Sequence, residues 1–381
     1  MPIEELTRNA VDLLPAGGLE RKLEQGRPLR VKLGIDVTSP DIHVGRAVPL
    51  QRMRAFQDEG HTGVLIVGDY TTRIGDPSGR SAERPILGDD EIEQNAREYV
   101  DQALLILDPE RTEVRRNGEW LSTLTYADIV QLARTTTVAR LLERDDFANR
   151  YGAGEPISVS ELLYPLMQAY DSVAIEADVE LGGTDQLYNL LAGRDVMEAY
   201  GLEPQVVLTV PLLLSWDGAK MSSSVGNNIP LTMAPEEQFG RTMRIPDDLL
   251  RQWYELVLEQ ELRPGDPLEA KLALARFIVE RSHGPDAAAR AEAHFTRTVR
   301  EGQVPEDVPE APLPAGDPVH LPKLLVDHLG ISSTSEARRL IAQEGVRIDG
   351  EPVAELDIPR SRLEGALVQA GKRRFMRFQP A

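Results

Sequence analysis

The chain has 381 residues, 41% of them hydrophobic, and a formal net charge of −20. That length supports two or three domains with real cores, and no apolar run approaches bilayer length, so a soluble, cytoplasmic globular protein without a membrane span is expected. Cysteine is absent, which excludes disulfides, thiolate catalysis and cysteine-bound zinc; the six histidines show no close ligand spacing, so no protein-held metal is expected.

Residues 1–228 alternate short apolar runs with amphipathic helices. Segments 29–35, 63–67 and 206–214 read as buried strands followed by glycines or turns, which predicts an α/β fold with a Rossmann-like parallel sheet. The first strand carries Lys32 and Gly34 and stops at Asp36. A loop from Val37 and Thr38 to Ile42 leads to His43-Val44-Gly45-Arg46, which opens a helix running through Ala55. Ligands bind outside the carboxyl ends of such strands, and a helix N-terminus there offers free N–H groups to phosphate. Gly45 permits close approach of a nucleotide, and His43 and Arg46 can donate to phosphate or ribose oxygens; a plain surface loop beside a helix start is the competing reading. After the second strand, Gly68-Asp69-Tyr70-Thr71-Thr72-Arg73-Ile74-Gly75-Asp76-Pro77-Ser78-Gly79 forms a turn that can aim Asp76 into the same crevice.

Further on, Ser158 and Glu161 have capping-box spacing. The helix that follows places Tyr164, Gln168 and Asp171 on one face, where a core would want Leu or Ile; a polar ligand would supply the partners these groups need. Pro165 predicts a kink. Leu181-Gly182-Gly183-Thr184-Asp185-Gln186 is a glycine turn feeding another helix, with Thr184 expected as N-cap, Tyr200 as the last helical residue and Gly201 as the stop; Asp185 can take ribose hydroxyls. The third strand leads to Asp217-Gly218-Ala219-Lys220-Met221-Ser222-Ser223-Ser224, a lysine with three hydroxyls on a loop suited to a mobile phosphate clamp.

Residues 229–302 read as helical, with helices at 247–258, 268–282 and 286–301. Prolines at 305, 309, 312, 314 and 318 predict an extended linker over 303–318. The remaining module, 319–381, carries ten Lys and Arg against eight Asp and Glu. Salt screens charge beyond roughly 8–10 Å, so a local basic face can hold RNA on an acidic body. Arg338, Arg339, Arg347, Lys372, Arg373 and Arg374 are the candidate RNA contacts, set against an ordinary solvated small domain.

In this order and spacing the segments GIDVTSPDIHVGR, GDYTTRIGDPSGR, LLYPLMQAYDS, ELGGTDQLYNLL and DGAKMSSS resemble the class I aminoacyl-tRNA synthetases, specifically the bacterial tyrosyl-tRNA synthetases of the longer type, and the final module resembles their S4-like RNA-binding domain. The resemblance implies a tyrosine–tRNA ligase that makes tyrosyl-adenylate from ATP, with Mg²⁺ accompanying the nucleotide, and transfers the tyrosyl group to tRNA-Tyr as a homodimer. It implies that Asp76, Tyr164 and Gln168 hold the substrate amino group, Asp171 accepts from the phenol and Gln186 orients the amino acid. By the same resemblance Lys32 lies on the wall near the phenol, Gly34 and Asp36 line the floor, Thr38 and His43 meet the ATP phosphates and Lys220 closes over them. Gly45, Gly182, Asp185, Met221, Ser222 and Ser224 fall in the nucleotide segments. Three positions depart from the family pattern. Val37 replaces a proline, which should loosen its loop; Arg46 replaces a histidine; Ser223 replaces a lysine, so that Arg46 and Ser223 can be a compensating pair. A paralogue activating tyrosine or an analogue outside bulk translation, or a catalytically reduced RNA-binding scaffold, is the alternative.

Overall fold

A computed structural model describes residues 3–77, 87–223, 225–300, 308–371 and 374–379. Ser224, Lys372 and Arg373 lie outside the described residues, as do Ser78 and Gly79 of the second turn. The chain forms two compact units, Met1–Ile278 and Val279–Ala381.

The first unit is built on six strands: β1 (Asp12–Leu14), β2 (Arg30–Ile35), β3 (Thr62–Val67), β4 (Thr112–Arg116), β5 (Val179–Gly183) and β6 (Val206–Val210). Their spatial order is β1-β6-β5-β2-β3-β4, parallel throughout except for β1. The strand predicted over 206–214 ends at Val210, before Pro211. From β2 the chain winds outward to β3 and β4, then returns to the other side of β2 with β5 and β6. The switch point therefore lies between β2 and β5, where an open α/β sheet leaves a crevice. Pairing deepens that crevice. β2 and β3 pair over six residues, but β2 and β5 pair only at Val31↔Val179 and Lys32↔Glu180. Beyond that rung the two strands part, and the space between them is the mouth of the site.

Apolar residues from β2, β3, β5 and β6 and from helices Val44–Asp58 and Asp89–Ala103 make one core. The same core takes in Ile229, Ile245, Trp253, Leu256, Leu274 and Ile278, so the change of texture at residue 229 does not separate two cores. The helix predicted over 247–258 is a 3₁₀ turn, one α-helical turn (Leu250–Trp253) and a π turn (Tyr254–Leu258). Helix Val159–Ala174 begins with the predicted capping box and remains a single element over Pro165. Among the described residues no helix is long and apolar enough to cross a membrane.

In the second unit β8 (Val319–His320) pairs with β11 (Asp357–Ile358), while β9 (Val346–Ile348), β10 (Glu351–Pro352), β12 (Leu367–Ala370) and β13 (Arg374–Gln379) form a sheet that β7 (Glu310–Pro312) completes, parallel to β13. Ala311 and Leu313 enter its core. Part of the stretch read from its prolines as a linker is thus an edge strand, a position that tolerates proline because the missing donor faces outward. Helices Leu321–Leu329 and Thr334–Ala342 pack over this sheet, with Leu321, Leu325, Ala337 and Ile341 buried.

Candidate active site

A cavity of about 880 Å³ opens at the switch point, lined by the ends of β2 and β5, by helix Val159–Ala174 and by the loop after β6. At Gly34 nothing lies within 4 Å of where a Cβ would project, so its missing side chain is cavity space. Gly68 is required for packing: a Cβ there would stand 2.4 Å from Thr71 Oγ1 and 2.6 Å from Asp36 Oδ1.

Asp36 organises the floor. It accepts from Thr71 Oγ1 (2.8 Å), from the Asp76 N–H (3.2 Å) and from the Tyr164 hydroxyl (3.0 Å). Burial, followed by the nearby carboxylates, pushes the Tyr164 phenol well above its ordinary range, so it stays a donor. Tyr164, Gln168 and Asp171 all line the cavity, as their spacing predicts. Gln168 Oε1 is buried without a hydrogen-bond partner, an acceptor that a bound donor would satisfy. Gln186 Nε2 donates to Asp76 Oδ2 at 2.7 Å, which joins two predicted residues.

At the deep end Asp171 accepts from Trp120 Nε1 (2.8 Å) and Asn117 Nδ2 (3.4 Å). Desolvation raises its carboxyl to about 7, against the pull of Lys32 and of those two donors. Lys32 itself is not on the cavity wall. Its ammonium is fully buried and saturated by Glu180 Oε1 (2.8 Å), Ser172 Oγ (2.8 Å) and the Gln168 carbonyl (2.9 Å). The cross-strand rung with Glu180 draws the lysine away from the ligand space.

His43, not the predicted first helical residue, is the N-cap of Val44–Asp58, and its Nδ1 accepts the Arg46 N–H at 3.2 Å. Burial first, then Arg46 and Lys220, push the imidazole down to about 3, so the ring is neutral and its proton sits on Nε2. Backbone bonds from Val44 to Ile229 and from Leu231 to Ile42 bring the segment after the lysine loop against this helix start. The two distant motifs therefore line one cavity, with Thr38, Gly45, Arg46, Lys220, Met221, Ser222 and Ser223 on its walls. Val37 does not loosen its loop: it is buried, its N–H donates to Thr72 Oγ1 (2.9 Å), and a proline would lack that donor.

Lys220 forms an ion pair with Asp185, the residue expected to take ribose hydroxyls. Met221 is anchored in the hydrophobic core. The loop is more ordered than a free serine-rich segment: Asn227 donates to Asp217 Oδ2 (2.9 Å) and the Lys220 carbonyl (3.2 Å) and accepts the Ser222 N–H (2.8 Å). Asn228 Nδ2 donates to Ser223 Oγ at 3.2 Å. Thr184 is not a cap; it opens a 3₁₀ turn, and helix Leu187–Ala199 starts three residues later.

Sequence reasoning missed Asn117, Trp120, Arg144, Asn189, Asn227 and Arg241. The last lines the cavity and donates to the Asn228 carbonyl at 2.9 Å. Asn189 lies inside one recognised motif and Asn227 shortly after another, so both were findable; Asn117, Trp120 and Arg144 reach the site across tens of residues with no local signal. In the second unit Arg338, Arg339, Arg347 and Arg374 are exposed. Arg339 and Arg374 both lower the Glu336 carboxyl, after its hydrogen bonds to Ser332, so helix Thr334–Ala342 and β13 bring those two cations to one neighbourhood.

Residues 24–300 match the family model described as tRNA synthetases class I (W and Y), and residues 320–357 match the S4 domain. The chain is 48% identical to a protein of Moorella thermoacetica named Tyrosine--tRNA ligase, over 98% of this chain and 94% of that one. A protein of the same name from Thermotoga maritima is 46% identical, over 99% of this chain and 96% of that one. In fold it is similar to the tyrosyl-tRNA synthetase of Archaeoglobus fulgidus solved with L-tyrosine, with a TM-score of 0.61 at 22% identity, covering 76% of this chain and 98% of that one. A sheet switch point flanked by both nucleotide motifs, with these matches over nearly the whole length, makes the chain a class I aminoacyl-tRNA synthetase of the tryptophan and tyrosine family, carrying a C-terminal S4 domain.

Proposed function

We propose that the protein is a tyrosine–tRNA ligase that uses ATP to form tyrosyl-adenylate and transfers the tyrosyl group to the 3′ end of tRNA-Tyr in the cytoplasm. The observation that carries the reading is the carboxylate of Asp171 at the deep end of the cavity, which offers a phenol hydroxyl an acceptor; the choice of tyrosine over tryptophan rests on the near-full-length relatives. Near-full-length relatives named Tyrosine--tRNA ligase support the reading and do not favour a specialised paralogue or a reduced scaffold.

In this reading the phenol donates to Asp171, and the ammonium lies among Asp76, Tyr164 and the unpartnered Gln168 Oε1. The tyrosine carboxylate attacks the α-phosphate of ATP in line, and pyrophosphate leaves toward His43, Arg46 and Lys220. No protein nucleophile is needed; positioning and charge stabilisation do the chemistry. His43 donates from Nε2 as a neutral ring. Lys220 must exchange Asp185 for phosphate, which frees Asp185 for the ribose. Mg²⁺ is proposed as part of the ATP complex, where it would neutralise phosphate charge; among the described residues no group of three His, Asp or Glu could hold it. Arg338, Arg339, Arg347 and Arg374 are the proposed tRNA contacts.

A homodimer is proposed through the segment between β4 and β5. Tyr126, Val138, Tyr151 and Val159 are exposed there by 82%, 61%, 69% and 73%, large apolar side chains that a partner surface would cover. Sedimentation of a Tyr126→Asp, Val138→Asp variant should give a monomer; an unchanged dimer would move the interface elsewhere.

ATP–pyrophosphate exchange across the standard amino acids tests the function. Exchange should depend on tyrosine, and Asp171→Ala should collapse the Tyr-over-Phe ratio of kcat/KM, which enzymes of this same family hold at roughly 10⁵. Exchange with tryptophan instead, or an unchanged ratio, would overturn the assignment.

A further inference from the structure

Arg144 lies outside the cavity, and yet a chain of hydrogen bonds leads from it to the carboxylate proposed to take the substrate ammonium. Its side chain is only 4% exposed, and its guanidinium lies over Phe147 at 4.9 Å and Tyr188 at 5.5 Å. Nε donates to Asp146 Oδ1 at 3.0 Å and Nη1 to Asn189 Oδ1 at 2.9 Å, while Nη2 stands 3.9 Å from Asp76 Oδ1. Asn189 Nδ2 donates to Gln186 Oε1 at 3.0 Å, and Gln186 Nε2 donates to Asp76 Oδ2 at 2.7 Å. Asn189 is 1% exposed.

The polarity of this chain is set from both ends, by an Asp76 carboxylate that can only accept and by the Arg144 guanidinium. A guanidinium can only donate, so the Asn189 atom that meets it must be the oxygen. The Asn189 nitrogen then faces Gln186, which forces the Gln186 oxygen toward Asn189 and its nitrogen toward Asp76. With the Gln186 amide reversed, two acceptors would face each other at Asp76 and drive the carboxylate off its position.

We propose that Arg144 and Asn189 are positioning residues that fix the amide polarity of Gln186 and thereby hold Asp76 ready to accept the substrate ammonium. The inference rests on the reading that the amino end of tyrosine lies at Asp76. Asn189→Asp tests it. That variant keeps an acceptor for Arg144 and strengthens the pair by charge, so a role in holding the fold alone would be preserved. It cannot donate to Gln186, so the polarity is lost.

Equilibrium binding is measured with tyramine, which keeps the amine, and with 3-(4-hydroxyphenyl)propionate, which lacks it. Asn189→Asp, with Arg144→Lys as a second variant, should weaken tyramine roughly tenfold to a hundredfold, the worth of a charge-assisted hydrogen bond, and leave the propionate unchanged. Parental tyramine affinity in Asn189→Asp, or equal loss of both ligands, overturns the inference. Asp76→Asn is the control: if it leaves tyramine affinity intact, the placement of the amine falls, and the inference falls with it for that separate reason.

Discussion

With Asp171 in its proposed role as phenol acceptor, tyrosine recognition becomes a titration near neutral pH. Its carboxyl is raised from 3.8 to about 7, chiefly by desolvation. A phenol donates best to the ionised carboxylate, so tyrosine affinity should rise with pH and level off above about 7. One unit below that value about a tenth of the carboxylates are ionised, which costs about tenfold in affinity, or about 1.4 kcal/mol. The sign for stability is opposite. A folded-state value above the unfolded one means that the protonated carboxyl stabilises the fold, and this contribution is lost as pH climbs from about 4 to about 7. Tyrosine supplies a partner for the charge, so its thermal shift should grow over that range. His43 does not interfere, because its ring titrates near 3. The assay is tyrosine KM in ATP–pyrophosphate exchange from about pH 5.5 to 8, for the parent and Asp171→Asn. The parent should show a slope of log(1/KM) against pH approaching one below 7, and the variant none. A flat parental profile, or a slope that survives in Asp171→Asn, would refute the reasoning.

His43→Asn keeps a helix-capping acceptor but removes the Nε2 donor, so the activation rate should drop by roughly 10²-fold with tyrosine affinity unchanged, measured by stopped-flow activation beside equilibrium binding. Arg241→Met should raise the KM for ATP about tenfold and leave that for tyrosine alone, since its guanidinium lies at the loop that carries Ser223, where one lysine is missing from the family pattern. Equal changes in both constants would mark Arg241 as structural. Arg338→Glu with Arg339→Glu should weaken tRNA aminoacylation and flatten its salt dependence while sparing ATP–pyrophosphate exchange.

The parts of this fold legible in the sequence were those with local signals. Buried parallel strands show as Val- and Leu-rich runs, and the capping box at Ser158 and Glu161 is a four-residue pattern that the helix then obeys. β1 and β7 were not legible. Each has three residues and takes its identity from its neighbour, β6 in one case and β13 in the other. Prolines that mark a linker in a free chain also suit an outer strand, and only the tertiary partner decides between them.

The site divides along the same line. Residues that touch ligand space sit at strand ends and helix starts, where glycine, aspartate and histidine make patterns. The residues that hold them do not. Asn117 and Trp120 reach Asp171 across about fifty positions, and Arg144 reaches Asn189 across forty-five. Lys32 shows why a position in a motif is weaker than a partner. It lies on the strand that leads into the cavity, but its register opposite Glu180 on the neighbouring strand buries an ion pair instead. Breaking a buried pair from one side costs about 3–5 kcal/mol, so such a pair constrains its surroundings strongly. Here it pins β2 to β5 at their last shared rung, and everything beyond that rung is free to part. The lysine thus bears on the site from outside the cavity wall: its rung is where the two strands stop pairing, and so where the cavity begins.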